Sequence, residues 1–199
     1  MAAAMKNPDV MRSLASTFAL TPGFKGIQQP SGNKPYEDTE FGSWVAPFFM
    51  APVNTKNVHR SNMLLGHPYG EDFTYEEMMF TGPGDKGEAI ARSIAGSDPL
   101  AGQEDLKPGD GPSKTEREQG SYDFMFSGVS KHGDRITVGV KGDMDPGYGS
   151  TSKIISECAL CLLDEEADAP GGVLTPASAF GRSIIDRTHA NAGLTFDIE

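Results

Sequence analysis

Two runs of strict alternation, joined by a short polar loop, constrain this chain more than any other feature. In SYDFMFSG, Tyr122, Phe124 and Phe126 recur at every second position, and in RITVGVKG, Ile136, Val138 and Val140 do the same. Period two puts each set on one face of an extended strand. The SKHGD between them is a hairpin loop with Gly133 available for positive φ.

Directly after the hairpin, GDMDPGYGSTSKIISECALCLLDEE reads as a glycine-rich turn followed by a helix from Ser152 to about Glu165. Ile154, Ile155, Cys158, Ala159 and Leu162 fall on one stripe of that helix. Strand, glycine turn and helix is the layout of a phosphate-cradling loop, but two defining positions fail. Against G-x-x-x-x-G-K-[ST], Ser152 stands where glycine is needed and Ile154 where a hydroxyl must hold magnesium. Against G-x-G-x-x-G, Gly147 and Gly149 fit but Ser152 again replaces the third glycine. Asp143 and Asp145 just upstream would repel a pyrophosphate. The turn is not a nucleotide loop. Its remaining chemistry is that of a helix N-terminus, where free N–H groups favour an anionic or carbonyl-bearing group. Ser150, Thr151 and Ser152 are placed to cap the helix, and Tyr148 and Lys153 can add a phenol and an ammonium at the same mouth. Asp145, before Pro146, is a turn former that lines the same turn. Capping alone also accounts for these residues.

Elsewhere the elements are short, as 24 glycines and 14 prolines require. NPDVMRSLASTF predicts a helix with Asn7 as N-cap and Pro8 at its first position. SWVAPFFMAPV predicts a strand, although Pro47 argues against a central, fully paired place. NTKNVHRSNMLLG predicts a helix capped by Asn54 or Thr55 and ending near Gly66. DFTYEEMMF has strand alternation, and DKGEAIARSIAG is a short helix with Ile90 and Ile94 one turn apart. Ser97 to Gly120 reads as a long mobile loop. TPASAFGRSIIDRTHANAG predicts a helix with Thr175 as N-cap, Pro176 first and Gly193 as stop, and LTFDI closes the chain as a strand. The mixed order predicts an α+β domain over 1–199, a largely antiparallel sheet with helices packed on one face.

Other chemistry is sparse. Cys158 and Cys161 spell C-x-x-C, but they lie mid-helix among apolar neighbours with no second pair, so they read as structural thiols and not as a redox or metal site. Arg60 can clamp a carboxylate or phosphate, His59 can shuttle a proton, and Ser61 and Asn62 sit beside them. The same four residues also suit a plain polar helix face. No metal-ligand spacing and no nucleophile elbow occur. The net charge of −11 argues against nucleic acid or an anionic membrane as partner. Neither a signal-peptide core nor a bilayer-length apolar run is present, which with two cysteines predicts a cytoplasmic protein.

Several long strings carry a resemblance. GDMDPGYGSTSKIISECALCLLDE, GGVLTPASAFGRSIIDR and AGLTF resemble the C-terminal part of saccharopine dehydrogenase-like oxidoreductases, a family that includes trans-acting enoyl reductases serving polyketide lipid synthesis. WVAPFFMAPVNTKNVHRSNMLLGHPYGEDFTYEE is similar to the family's segment just beyond its nucleotide-binding domain, and KPGDGPSKTEREQGSYDFMF to its loop leading into the hairpin. Family members begin with a Rossmann domain carrying G-x-G-x-x-G, and no such fingerprint stands in this sequence. The resemblance therefore implies a C-terminal, non-Rossmann domain for substrate binding and dimerisation, inactive by itself. It implies NAD(P) in the parent protein, no cofactor on this chain alone, and a small-molecule or lipid-like substrate. Arg60, Ser61, Asn62, Asp145, Tyr148, Ser150, Thr151 and Lys153 are the implied substrate-side residues, with no catalytic residue assigned. The partners implied are the missing Rossmann domain and a second copy of the chain. A different class of reading is a non-catalytic binding or oligomerisation module, using the apolar faces of the hairpin.

Overall fold

A computed structural model describes residues 7–98, 109–164 and 171–198. The chain divides into two compact units, Met1–Glu104 and Asp105–Glu199. Each contains one three-stranded antiparallel sheet with helices, so the fold is α+β, with the strands shared between two sheets and not gathered in one.

The first unit opens with α1 (Pro8–Ala15), whose start is capped as its sequence predicts: the Asp9 N–H donates to Asn7 Oδ1 at 2.9 Å. Strands β1 (Tyr36–Asp38) and β2 (Ser43–Pro47) follow, then α2 (Ala51–Leu64), β3 (Met78–Gly82) and α3 (Gly84–Gly96). The sheet order is β1-β2-β3, so β2 is central despite Pro47. The strand accommodates the proline because β1 pairs only with Ser43 to Val45, while Pro47 faces Met78 of β3 alone. Pro47 is the last residue of the strand and is flanked on one side only, a place where a missing N–H costs little.

α2 begins before the polar residues expected to cap it. Pro52 lies in its first turn, where a residue without an N–H costs nothing. Thr55 Oγ1 donates back to the Ala51 carbonyl at 2.7 Å, and Asn54 Nδ2 donates across to Glu77 Oε2 at 2.9 Å. The alternation in DFTYEEMMF does not make one long strand; only Met78 onward pairs with β2. α3 packs on β2 and β3 through its smallest residues, Gly87 and Ala91, while Ile90 is exposed. A Cβ at Gly87 would overlap the Gly82 carbonyl, so this close approach requires glycine. Val45, Ala46 and Ala91 form the buried centre of the unit. The glycine- and proline-rich connection is held on α2 by an aromatic cluster in which Phe18 and Phe73 lie 4.9 and 5.6 Å from the His59 ring.

In the second unit, α4 (Lys114–Gln119) lies within the segment expected to be a loop. Its sequence signature is the capping box formed by Ser113 and Glu116. Residues 99–108 of that expected loop are outside the described residues. The hairpin forms as predicted, with β4 (Tyr122–Val129) and β5 (Arg135–Gly142) joined at Gly133. Phe124 faces Val140 and Phe126 faces Val138, so both apolar sets share one face of the sheet.

Next come α5 (Gly149–Asp164), α6 (Pro176–Phe180), α7 (Arg182–Asn191) and β6 (Leu194–Ile198), which completes the order β4-β5-β6. α6 and α7 were expected as one helix. Gly181, at φ 52° and ψ −123°, breaks it in a conformation that side chains disfavour. The Thr175 cap and the Gly193 stop stand as expected. α5 packs on α7, and α7 on β6. Arg187 on α7 binds Glu157 at 3.1 Å and Asp164 at 3.2 Å. α5 does not bury the predicted stripe as a whole: Ile155 and Leu162 are exposed, and Ser150 and Cys161 are buried.

Candidate functional site

The turn from Asp143 to Lys153 resolves the resemblance to a phosphate loop. Asp145 Oδ1 accepts the N–H groups of Gly147 and Tyr148 at 3.0 and 2.9 Å, and its Oδ2 accepts that of Gly149 at 2.6 Å. The Ser150 N–H donates to the Asp145 carbonyl at 2.9 Å. The donors that would cradle a phosphate are thus closed by the chain's own carboxylate. This cap starts α5 at Gly149, three residues before the start expected at Ser152. The backbone N–H of Tyr148, helped by those of Gly149 and Gly147 and by Arg117, holds the Asp145 carboxyl below its ordinary range.

The hydroxyls of this turn serve the fold. Ser150 is buried, its Oγ 2.7 Å from the Tyr122 phenol, and so is turned away from the mouth where it was expected. Thr151 Oγ1 donates to the Pro146 carbonyl at 2.6 Å and Ser152 Oγ to that of Gly149 at 2.9 Å. Tyr148 is exposed, with Gly111 beside its ring. Lys153 Nζ lies 3.7 Å from Asp143 Oδ1, a half-exposed pair. Tyr148 and the half-exposed Lys153 are the phenol and the ammonium that this turn leaves accessible to solvent. They can donate to a carbonyl or oxyanion, and they cannot replace the closed phosphate cradle.

Arg60, Ser61 and Asn62 belong to the first unit, on the last turns of α2. Arg60 Nη1 donates to the Leu20 carbonyl at 2.6 Å, tying the preceding connection to the helix. Ser61 Oγ donates to the Asn57 carbonyl at 2.8 Å. Asn62 is buried and bonds at both ends of its amide: Nδ2 donates to the Gly70 carbonyl at 2.9 Å, and Oδ1 accepts the Tyr69 N–H at 3.0 Å. His59, also buried, has its Nε2 3.2 Å from Gln29 Oε1, and burial lowers its pKa, which favours the neutral ring. Cys158 is half-buried and its thiol is pushed up by burial and then by Glu157, the opposite of an activated nucleophile.

Sequence reasoning missed a second polar group, Tyr75 with Glu76 and Glu77, because TYEE was read as strand alternation. The phenol of Tyr75 hydrogen-bonds Glu77, and Tyr36 Oη donates to Glu76 Oε2 at 3.0 Å. Both phenols are pushed up, Tyr36 to about 12, by burial first and the adjacent glutamates second. The only available signal was acidic residues placed just before an apolar strand. Among the described residues no group of three or more His, Cys, Asp or Glu side chains is placed to hold a metal, and no helix is long and apolar enough to cross a membrane.

Comparison with known proteins supplies the family link. Mycobacterium tuberculosis Rv2449c, which bears the name of a trans-acting enoyl reductase, is 34% identical over 96% of this chain and 52% of its own length. The trans-acting enoyl reductase of Mycobacterium bovis BCG is 30% identical over 94% of this chain and 51% of its own. That of Mycobacterium ulcerans is 34% identical over 73% and 39%. The chain is homologous to the trans-acting enoyl reductases. It spans about half the length of the curated relatives it matches. No family model matches it, and no solved structure does. Identity at this level with mycobacterial trans-acting enoyl reductases, from end to end of the chain, agrees with the strings that carried the resemblance in the sequence.

Proposed function

We propose that this chain is the substrate-binding and closing half of an NAD(P)-dependent oxidoreductase of the saccharopine dehydrogenase-like type, acting on an enoyl or similar unsaturated acyl substrate. The observation that carries the reading is the match over 96% of the chain to trans-acting enoyl reductases of which it spans 52%. The residues present do not fit the dinucleotide itself. Ser152 replaces the third glycine, and Asp145 fills the helix N-terminus that a pyrophosphate would need. The cofactor therefore belongs to the other half of the parent enzyme. The role left to these residues is to hold the substrate and exclude water while the cofactor half supplies the reductant.

Within that role, Tyr148 and Lys153 are the donors suited to a substrate carbonyl, and Asp143 lies 3.7 Å from the ammonium of Lys153. Asp145, Ser150 and Thr151 hold the turn that presents them. Arg60, Ser61 and Asn62 support substrate binding in the first unit by fixing the segments around α2. The test is substitution in the full-length parent. Tyr148→Phe and Lys153→Ala each lower turnover at least about tenfold, with cofactor affinity nearly constant. Normal turnover in both variants removes Tyr148 and Lys153 from the mechanism.

The same reading includes a homodimer. One face of the second sheet carries Phe124, Phe126, Ile136, Val138, Phe196 and Ile198 in register. Phe126, Ile136 and Ile198 are 44%, 51% and 77% exposed. A twofold-related copy buries such a face against itself.

A further inference from the structure

The first unit contains a cavity of about 510 Å³ that no part of the proposed reductase chemistry uses. Its volume is that of a small-molecule site. Phe48 and Phe49, just beyond β2, form its apolar side together with Met79 of β3 and Ile94 of α3. Tyr75, Glu76 and Glu77 form its polar side. The two sides differ in chemistry, and the difference defines a ligand.

Both glutamates are half-buried, and each is held by neutral donors. Glu77 takes the Asn54 amide and the Tyr75 phenol, and Glu76 takes the Tyr36 phenol. Neutral donors leave a carboxylate's charge in place and leave it further lone pairs. Among the described residues neither glutamate is in an ion pair. The lysine on the lining, Lys56, directs its ammonium to the Pro52 carbonyl of its own helix. The cavity thus pairs aromatic surface with two carboxylates that no cation among the described residues neutralises, a combination that favours an ammonium group on an apolar body and disfavours an anion.

We propose that this cavity binds a small organic amine, its ammonium between Glu76 and Glu77 and its apolar body on Phe48, Phe49 and Met79. The proposal stands apart from the oxidoreductase reading, since its test needs neither dinucleotide nor turnover. Phenethylamine and 3-phenylpropionate have similar tails and opposite charges, and each is titrated by calorimetry into the 199-residue chain. Phenethylamine gives saturable binding and 3-phenylpropionate does not. Glu76→Gln, which leaves the Asn54 and Tyr75 contacts with Glu77 intact, weakens the amine at least fivefold, and Glu77→Gln does so in protein that keeps the wild-type circular dichroism spectrum. No saturable amine binding, equal binding of both probes, or unchanged affinity in Glu76→Gln overturns the proposal.

Discussion

Asn62→Ala separates a structural role for the end of α2 from a ligand-facing one. Asn62 is 2% exposed, and its amide serves two backbone groups, the Tyr69 N–H and the Gly70 carbonyl. Alanine leaves both without a partner beside a packed helix end. Each stranded group costs about 1–3 kcal/mol, so the variant loses about 2–6 kcal/mol. That is a large share of the roughly 5–15 kcal/mol available to an ordinary domain. Trp44 is the single tryptophan and lies in β2 of the same unit, so its fluorescence reports unfolding of this unit. With a urea dependence of about 2 kcal/mol per molar, the midpoint falls by about 1–3 M. Asn62→Asp keeps the shape but sets an oxygen against the Gly70 carbonyl, and it is also destabilising. A midpoint within about 0.5 M of wild type in Asn62→Ala refutes the reasoning, because the two bonds would then contribute less than one ordinary hydrogen bond.

Asp145 predicts a pH dependence with a fixed sign. Its folded pKa lies below the unfolded one, so its contribution is complete above the ordinary carboxylate range, about 3.9, and fades as pH falls through the lowered value. The melting-temperature gap between wild type and Asp145→Asn accordingly closes in acid, and a gap that is constant from pH 7 to pH 2 contradicts the cap. For assembly, light scattering gives twice the chain mass, and Phe126→Glu returns the protein to a monomer. A wild-type monomer at every concentration ends the dimer proposal.

The hairpin was legible in the sequence because both its strands alternate strictly and its loop has a glycine where φ must be positive; Tyr122 to Val129 and Arg135 to Gly142 pair as expected. The caps at Asn7 and Thr175 were legible for the same local reason. What depends on distant partners was not. The buried face of α5 depends on its packing against α7, from which Arg187 reaches Glu157, and α3 is seated by Gly87 and Ala91, which a search for large apolar residues passes over. The failure of the phosphate loop could be read from Ser152 and Ile154. That Asp145 fills the place of the anion needed the backbone path of the turn. Ser150 was expected at the mouth because serines cap helices; its burial follows from the Tyr122 phenol on a strand that the sequence leaves at an unspecified distance.

The central claim is that these residues are the substrate side of a reductase whose dinucleotide is held elsewhere. Calorimetric titration of NADPH into the chain, repeated with NADH, tests it most directly. The account predicts no saturable heat with either cofactor, since the one helix N-terminus with the right layout is closed by Asp145. Saturable binding at micromolar concentration contradicts it.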